Sequence, residues 1–388
     1  MYPTISEFLK TLGIDLKLPI QTFGFFVAMA FAVAAYFLGK ELKRKQAEGL
    51  IQPTKRQRTV GAPANPIEYV LNAIGGFIAG FKFVYLLSNY SLFADNPQEM
   101  LLSSEGSWFG GIAGAIGLVY WKYREVKAAL LPQPKIVTEE INAIDHLGNI
   151  ILYGVVGGLV GAKIFHNLEN PQEFMADPIG ALLSFSGLTF YGGLIVAAFL
   201  IIRYGKKQGI KPLYLCDAAA PALMISYGIG RVGCQVSGDG DWGIVNTAPK
   251  PNWMSMLPDW MWSFKFPHNV NNEGVPIPGC VGRWCSELPE PVYPTSFYET
   301  LMAIALFAIL WGIRKKINVP GMLFSIYLIM NGTERFLIES IRVNSLYHIM
   351  GMEVTQAQLI SSALIILGIF GVWYTRKNQH ALQNGKLS

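Results

Sequence analysis

HLGNIILYGVVGGLVGAKIFH, residues 146–166, carries one lysine and no carboxylate in 21 positions. A helix that crosses the hydrocarbon core of a bilayer needs about 20 mostly apolar residues. The stretch has that length, so it reads as a membrane span. Working outward from it, comparable stretches recur at 19–39, 66–88, 107–121, 187–203, 213–232, 297–313, 320–341 and 357–374. The expected architecture is an all-α, polytopic transmembrane helix bundle of about nine spans. The third stretch is short, and 213–232 holds Asp217 and Pro221.

Composition points the same way. The chain has 388 residues, 52% apolar and 15% charged, whereas a soluble domain carries about 25% charged residues. Its 40 glycines and 13% aromatics suit membrane helices and their ends. A large soluble core is excluded by the recurrence of long uncharged stretches with basic clusters between them. Those clusters orient the chain. Lys40, Lys43, Arg44, Lys45, Lys55, Arg56 and Arg58 follow the first span, and Lys122, Arg124, Lys127 and Lys135 the third. Arg203, Lys206, Lys207 and Lys211 follow the fifth, Arg314, Lys315 and Lys316 the seventh, and Arg376 and Lys377 the ninth. Every second loop is basic, which places the N-terminus outside and the C-terminus in the cytoplasm. The net charge of +5 therefore reads as membrane anchoring, and no nucleic-acid partner is expected. Residues 1–18 carry charges and a proline, so a cleavable signal peptide is not expected.

An internal echo runs through the first half. Gly80-Phe81-Lys82 resembles Gly161-Ala162-Lys163, and Asn96-Pro97-Gln98-Glu99 recurs as Asn170-Pro171-Gln172-Glu173. Phe109-Gly110-Gly111 likewise matches Tyr191-Gly192-Gly193. The order is kept while the spacing drifts, as in a duplicated helix pair. Five segments follow: a first span at 1–44, an inserted pair at 45–145 resembling 146–203, a core at 146–235, an outer loop at 236–294 and C-terminal helices at 295–388. In the loop, Trp253, Met254, Met256, Trp260, Met261, Trp262, Phe264 and Phe266 either lie in the membrane interface or form a small folded core. Cys280 and Cys285 lie in the same loop, as a local disulfide or as free thiols. Cys216 and Cys234 read as buried thiols.

Polar residues inside apolar stretches are the functional candidates, because a charge at mid-membrane costs a few kcal/mol or more. Arg231 sits in Gly228-Ile229-Gly230-Arg231-Val232-Gly233. A guanidinium with bare glycine amides suits a phosphate; the structural alternative is an arginine snorkelling to the interface. Arg335, Glu339 and Arg342 stand at i, i+4 and i+7, on one helix face. That stripe fits an anionic headgroup or a structural ion network. Ser186 to Ile195 contains Tyr191-Gly192-Gly193, with Tyr191 either bonded to a reacting group or part of the aromatic belt. Tyr298 and Glu299 open the seventh span, after a Pro-Thr-Ser helix start. Asp239 follows the arginine run as a further candidate. The five histidines are scattered and show no ligand spacing, so neither a metal nor a cofactor is expected.

Taken together, these segments resemble the prolipoprotein diacylglyceryl transferase family. The run at 230–233, continuing to Gly238, Asp239 and Trp242-Gly243, is similar to that family's signature. Pro294 to Glu299, the Arg335/Glu339/Arg342 stripe and Thr355-Gln356-Ala357-Gln358-Leu359 follow in the family's order. The departures are Tyr191 in place of a family histidine, Cys234 and Ser237 in place of asparagines, Phe23 for a tyrosine and Lys163 for an arginine. The resemblance implies transfer of diacylglyceryl from phosphatidylglycerol to the lipobox cysteine thiol of a prolipoprotein, at the periplasmic side of the bacterial inner membrane. It implies catalytic roles for Tyr191, Arg231, Arg335, Glu299 and Asp239. Headgroup contacts are implied for Arg231, Gly230, Gly233, Gly192, Gly193, Arg335, Glu339, Arg342 and Tyr298. A membrane transporter and a non-catalytic lipid-binding paralogue are the competing classes.

Overall fold

The computed structural model describes residues 1–184, 187, 189–344, 346–349 and 352–383. Its helices, in chain order, are α1 (Ile5–Thr11), α2 (Thr22–Ala47), α3 (Pro66–Ser88), α4 (Tyr90–Asp95), α5 (Pro97–Leu102), α6 (Trp108–Ala129), α7 (Leu147–Glu169) and α8 (Pro171–Ala176). They continue with α9 (Pro178–Leu183), α10 (Phe190–Lys207), α11 (Pro212–Ser237), α12 (Thr295–Ile313), α13 (Met322–Glu339), α14 (Gln356–Lys377) and α15 (Gln379–Gln383). The protein is an all-α polytopic membrane protein. Six helices among the described residues are long and apolar enough to cross a bilayer: α2, α3, α7 with its lead-in from Ala143, α11, α12 and α14. The other long helices, α6, α10 and α13, lie where the sequence places spans three, five and eight. Each carries at least three charged residues, such as Glu334, Arg335 and Glu339 in α13.

Local chemistry sets the helix ends. Pro212 opens α11 at its first turn, where a missing N–H costs nothing, and Gly238 closes it in the left-handed region at φ 66°. Thr355 and Gln358 form a reciprocal capping box at the start of α14. α11 is the central helix, packed on α2, α12 and α13, while α13 also packs on α14. Leu42, Leu215 and Ala218 fill the contact with α2, and Ala220, Met224, Ala303 and Leu323 the contact with α12 and α13.

Two helical hairpins flank this group, one in contact with α11 and α2 and the other packed chiefly on itself. α7 packs on α10, and α3 packs on α6. In both, glycines let the backbones nearly touch: a methyl group on Gly80 would lie 2.1 Å from the Gly110 carbonyl oxygen, and one on Gly161 2.5 Å from that of Gly192. The α3/α6 hairpin is joined to the rest through an antiparallel ribbon of β1 (Thr54–Val60) and β2 (Lys135–Ile141). Arg56 faces Glu139 and Lys55 faces Glu140 across it. The sequence reading has no strands here, because both ribbon faces are polar and lack the alternation of a half-buried strand.

The loop at 236–294, expected to be the outer one, folds on itself. β3 (Val275–Pro276) pairs with β4 (Ser286–Glu287), Cys280 and Cys285 are bridged, and Trp242, Phe266, Leu288 and Val292 form a small core. Trp253 and Met256 remain exposed. The last ribbon, β5 (Leu346–Ile349) with β6 (Met352–Thr355), leads into α14.

Candidate functional site

At the end of α11 nearest the outer loop, side chains from three helices and two loops meet in one ionic cluster. Glu299, one turn into α12, is its centre and is fully buried. Its Oε2 lies 3.3 Å from Arg231 Nε of α11 and 3.3 Å from Nη1 of Arg342, just past α13. Its Oε1 accepts from Arg335 Nη1 of α13 at 3.0 Å and from the Tyr227 hydroxyl at 2.9 Å. Asp241 bonds to both Arg231 and Arg342, and Glu339 Oε2 lies 3.1 Å from Arg335 Nη2. Three guanidiniums therefore meet three carboxylates in direct contact.

The local sequence explains the convergence. Tyr227 and Arg231 are one turn apart on α11, and the Arg231 guanidinium sits 5.1 Å from the Tyr227 ring centre. Arg335 and Glu339 are one turn apart on α13. Gly243 forms a β-bridge with Arg342, with Ile244 N–H donating to Ile341 C=O at 2.9 Å, while Gly243 N–H donates to Tyr293 C=O on the other side at 2.8 Å. Thr295 and Ser296 hydroxyls both donate to the Asp241 carbonyl, at 2.7 and 2.8 Å. The Asp241 backbone is thus pinned while its carboxylate reaches the arginines. Removing one partner from a buried network of this kind costs about 3–5 kcal/mol, because the remaining charge is stranded.

The two loop carboxyls behave oppositely. Burial would raise Asp241, but the Arg231 and Arg342 charges outweigh it and hold the carboxyl at about 2. Asp239 is pushed upward by burial and by neighbouring Asp241. Cys234, Asp239 and Asp241 have donor atoms within 4.8 Å of one another. A cation there would share Asp241 with two guanidiniums, an unfavourable electrostatic setting.

Of the expected site residues, Arg231, Arg335, Glu299, Glu339 and Arg342 come together. Asp239 borders the cluster, and Tyr191 of α10 feels the charges of Arg335, Glu339, Arg231 and Arg342. The glycines are a correction. Gly230 and Gly233 lie inside α11, so their amides are in the helical hydrogen-bonded run and are not bare. A methyl group on Gly233 would meet Phe26, and Gly192 and Gly193 are packed against α7. The Tyr298 hydroxyl donates to the Met261 carbonyl at 2.9 Å, holding the outer loop rather than facing the cluster. Ser186 and Leu188 of the Tyr191 segment lie outside the described residues. Sequence reasoning did not single out Tyr227, Glu334 or the pinned Asp241. The i, i+4 spacing of Tyr227 and Arg231 was the available signal.

A family model described as prolipoprotein diacylglyceryl transferase matches residues 128–374. The phosphatidylglycerol–prolipoprotein diacylglyceryl transferase of Dehalococcoides mccartyi is 27% identical over 288 residues, 71% of this chain and 92% of that protein. Its counterpart in Streptococcus agalactiae is 28% identical over 288 residues, covering 74% and 98%. That of Corynebacterium glutamicum is 29% identical over 276 residues, covering 69% and 77%.

Proposed function

The chain belongs to the prolipoprotein diacylglyceryl transferase family, and we propose that it moves diacylglyceryl from phosphatidylglycerol to a prolipoprotein's lipobox cysteine at the arginine cluster. One observation carries this reading: Arg231, Arg335 and Arg342 converge around buried Glu299 beside the outer loop. Guanidiniums suit a phosphodiester because they offer paired donors and stay charged.

In the resting site those donors are taken by carboxylates. The phosphodiester binds by replacing the Asp241 carboxylate on Arg231 and Arg342, while Glu299 keeps the arginines in place. The thiol sulfur attacks the glyceryl carbon, and the C–O bond to phosphate breaks with its electron pair on the phosphate oxygen. The arginines hold the charge that develops there, in a site shielded from water. The product is a thioether, and glycerol phosphate leaves.

The alternating basic loops support nine spans in a bacterial inner membrane, with the N-terminus and the site on the periplasmic side and the C-terminus in the cytoplasm. Residues 45–145 act as an inserted helix pair copied from 146–203, since both hairpins cross at matched glycines.

The test gives the purified protein phosphatidylglycerol and a lipobox peptide. A diacylglyceryl mass gain on the peptide, with glycerol phosphate released, is the expected result. No gain, with a relative active in parallel, would favour a lipid-binding paralogue.

A further inference from the structure

We propose that Glu334 takes up the proton that the substrate thiol loses, acting through the hydroxyl of Tyr227. The proposal rests on the transferase reading and adds the group that completes its proton balance. A thiol with an unperturbed pKa near 8.5 is mostly protonated at neutral pH, so an acceptor is needed for fast attack.

Three carboxyls of the cluster are poorly placed to serve. Glu299 holds all three arginines, Asp241 holds Arg231 and Arg342, and Glu339 holds Arg335 with Asn344 on its other oxygen. Protonating Glu299 or Glu339 breaks an ion pair that supports the phosphate site, and Asp241, which leaves Arg231 and Arg342 when the phosphodiester binds, lies on the loop. Asp239 has no guanidinium contact among the described residues, but it already accepts the Asp241 N–H and lies on the loop.

Glu334 is different. It is 3% exposed, its Oε2 has no hydrogen-bond partner among the described residues, and its Oε1 stands 3.5 Å from the Tyr227 hydroxyl. That hydroxyl donates to Glu299 at 2.9 Å. Turning one O–H bond therefore redirects the proton from Glu299 toward Glu334. A buried carboxyl oxygen left unbonded is costly, and it points to a group that changes partners during the reaction. The charged and titratable groups facing it are Tyr227 and Arg231 from α11, Glu299 from α12, and Arg335 and Tyr327 from its own helix. α14, which packs on α13, carries no titratable residue between Gln356 and Trp373.

The step balances. The sulfur pair forms the C–S bond and the C–O bond breaks toward phosphate. The thiol proton passes to Tyr227 as Tyr227 passes its own to Glu334. Glu334 then releases it to the departing phosphate monoester. Because Glu334 acts through Tyr227, it is a positioning residue.

The experiment uses the full-length protein in phosphatidylglycerol-containing vesicles with a lipobox peptide, and follows kcat and KM against pH. Glu334→Gln is expected to lower kcat about 100-fold at neutral pH. Its KM values stay near wild type, and its rate recovers as pH rises past the thiol's ordinary value of about 8.5. Glu334→Asp restores part of the rate and the low-pH limb. A Glu334→Gln protein that works at the wild-type rate, or is slowed equally at every pH, overturns the proposal. If that variant does not fold, Tyr227→Phe takes its place, with the same expected loss and high-pH recovery; a wild-type rate there overturns it. A wild-type protein that transfers nothing refutes the transferase reading instead.

Discussion

The hairpins α3/α6 and α7/α10 are built alike and placed differently. Each crosses where glycine backbones touch, Gly80 with Gly110 and Gly161 with Gly192. Each carries a lysine that ties down the turn beyond. Lys82 donates to the Met100, Ser103 and Glu105 carbonyls, and Lys163 to Ser184 Oγ at 2.8 Å and the Gly187 carbonyl at 3.4 Å. Yet α10 touches α11 and α7 touches α2, whereas α3 and α6 pack chiefly on each other. Tyr191 lies half-buried near the arginines, while its counterpart Phe109 is 82% exposed. The hairpin geometry follows from small residues and a lysine. Its chemistry follows from what it is set against.

The largest expected effect lies on the side of the comparison that touches the cluster. Glu299→Gln leaves three guanidiniums without their shared carboxylate, and transfer should fall by about 10³-fold or more, with folding weakened by about 3–5 kcal/mol. Activity assays with chemical unfolding check both. A change of the same kind in α3/α6 has no equivalent, because that hairpin holds no such centre.

The two lysines give a matched pair. Lys163→Met should lower transfer about tenfold, because it loosens the turn before Tyr191, and each substitution uncovers carbonyls at a local cost of about 1–3 kcal/mol. Lys82→Met should leave transfer within about twofold, a loss confined to the α3/α6 hairpin's own stability. Equal losses in the transfer assay would erase the distinction drawn between the hairpins.

Excising residues 61–134 and joining Val60 to Lys135, which are paired in the ribbon, by an Asn-Gly turn tests the distinction at full scale. Membrane insertion and transfer within a few-fold of wild type are expected, read by the same assay on the shortened protein.

The smallest effect concerns acid. Asp241 is depressed below its ordinary value, to about 2. Its contribution to stability is therefore fully present above the ordinary carboxyl value near 4 and lost as pH falls through about 2. Asp241→Asn should melt below wild type at pH 6, and the gap should close toward pH 2. Thermal unfolding across that range checks it.

Much of this was legible in the sequence. Helix positions follow from length and apolarity, and helical spacing pairs Arg335 with Glu339. The expected single helix face for all three is corrected at Arg342, because α13 ends at Glu339 and Arg342 reaches the cluster from a β-bridge with Gly243. The ion partners were not legible. Asp239 and Asp241 differ by two positions, and long-range contacts, the Gly243–Arg342 bridge and the Thr295 and Ser296 hydroxyls on the Asp241 carbonyl, select Asp241. Glycines around Arg231 suggested bare amides, but α11 runs through them to Ser237. The ribbon depends on a pairing across about 80 residues with polar faces, which no local pattern announces.

The central claim is that the arginine cluster holds the phosphodiester. Phosphatidylglycerol retained by the detergent-purified protein, counted by native mass spectrometry for wild type and Arg231→Ala, tests it most directly. The account predicts bound phosphatidylglycerol on wild type and a loss of about tenfold or more in Arg231→Ala, with transfer abolished. Equal retention with wild-type turnover in Arg231→Ala would contradict it.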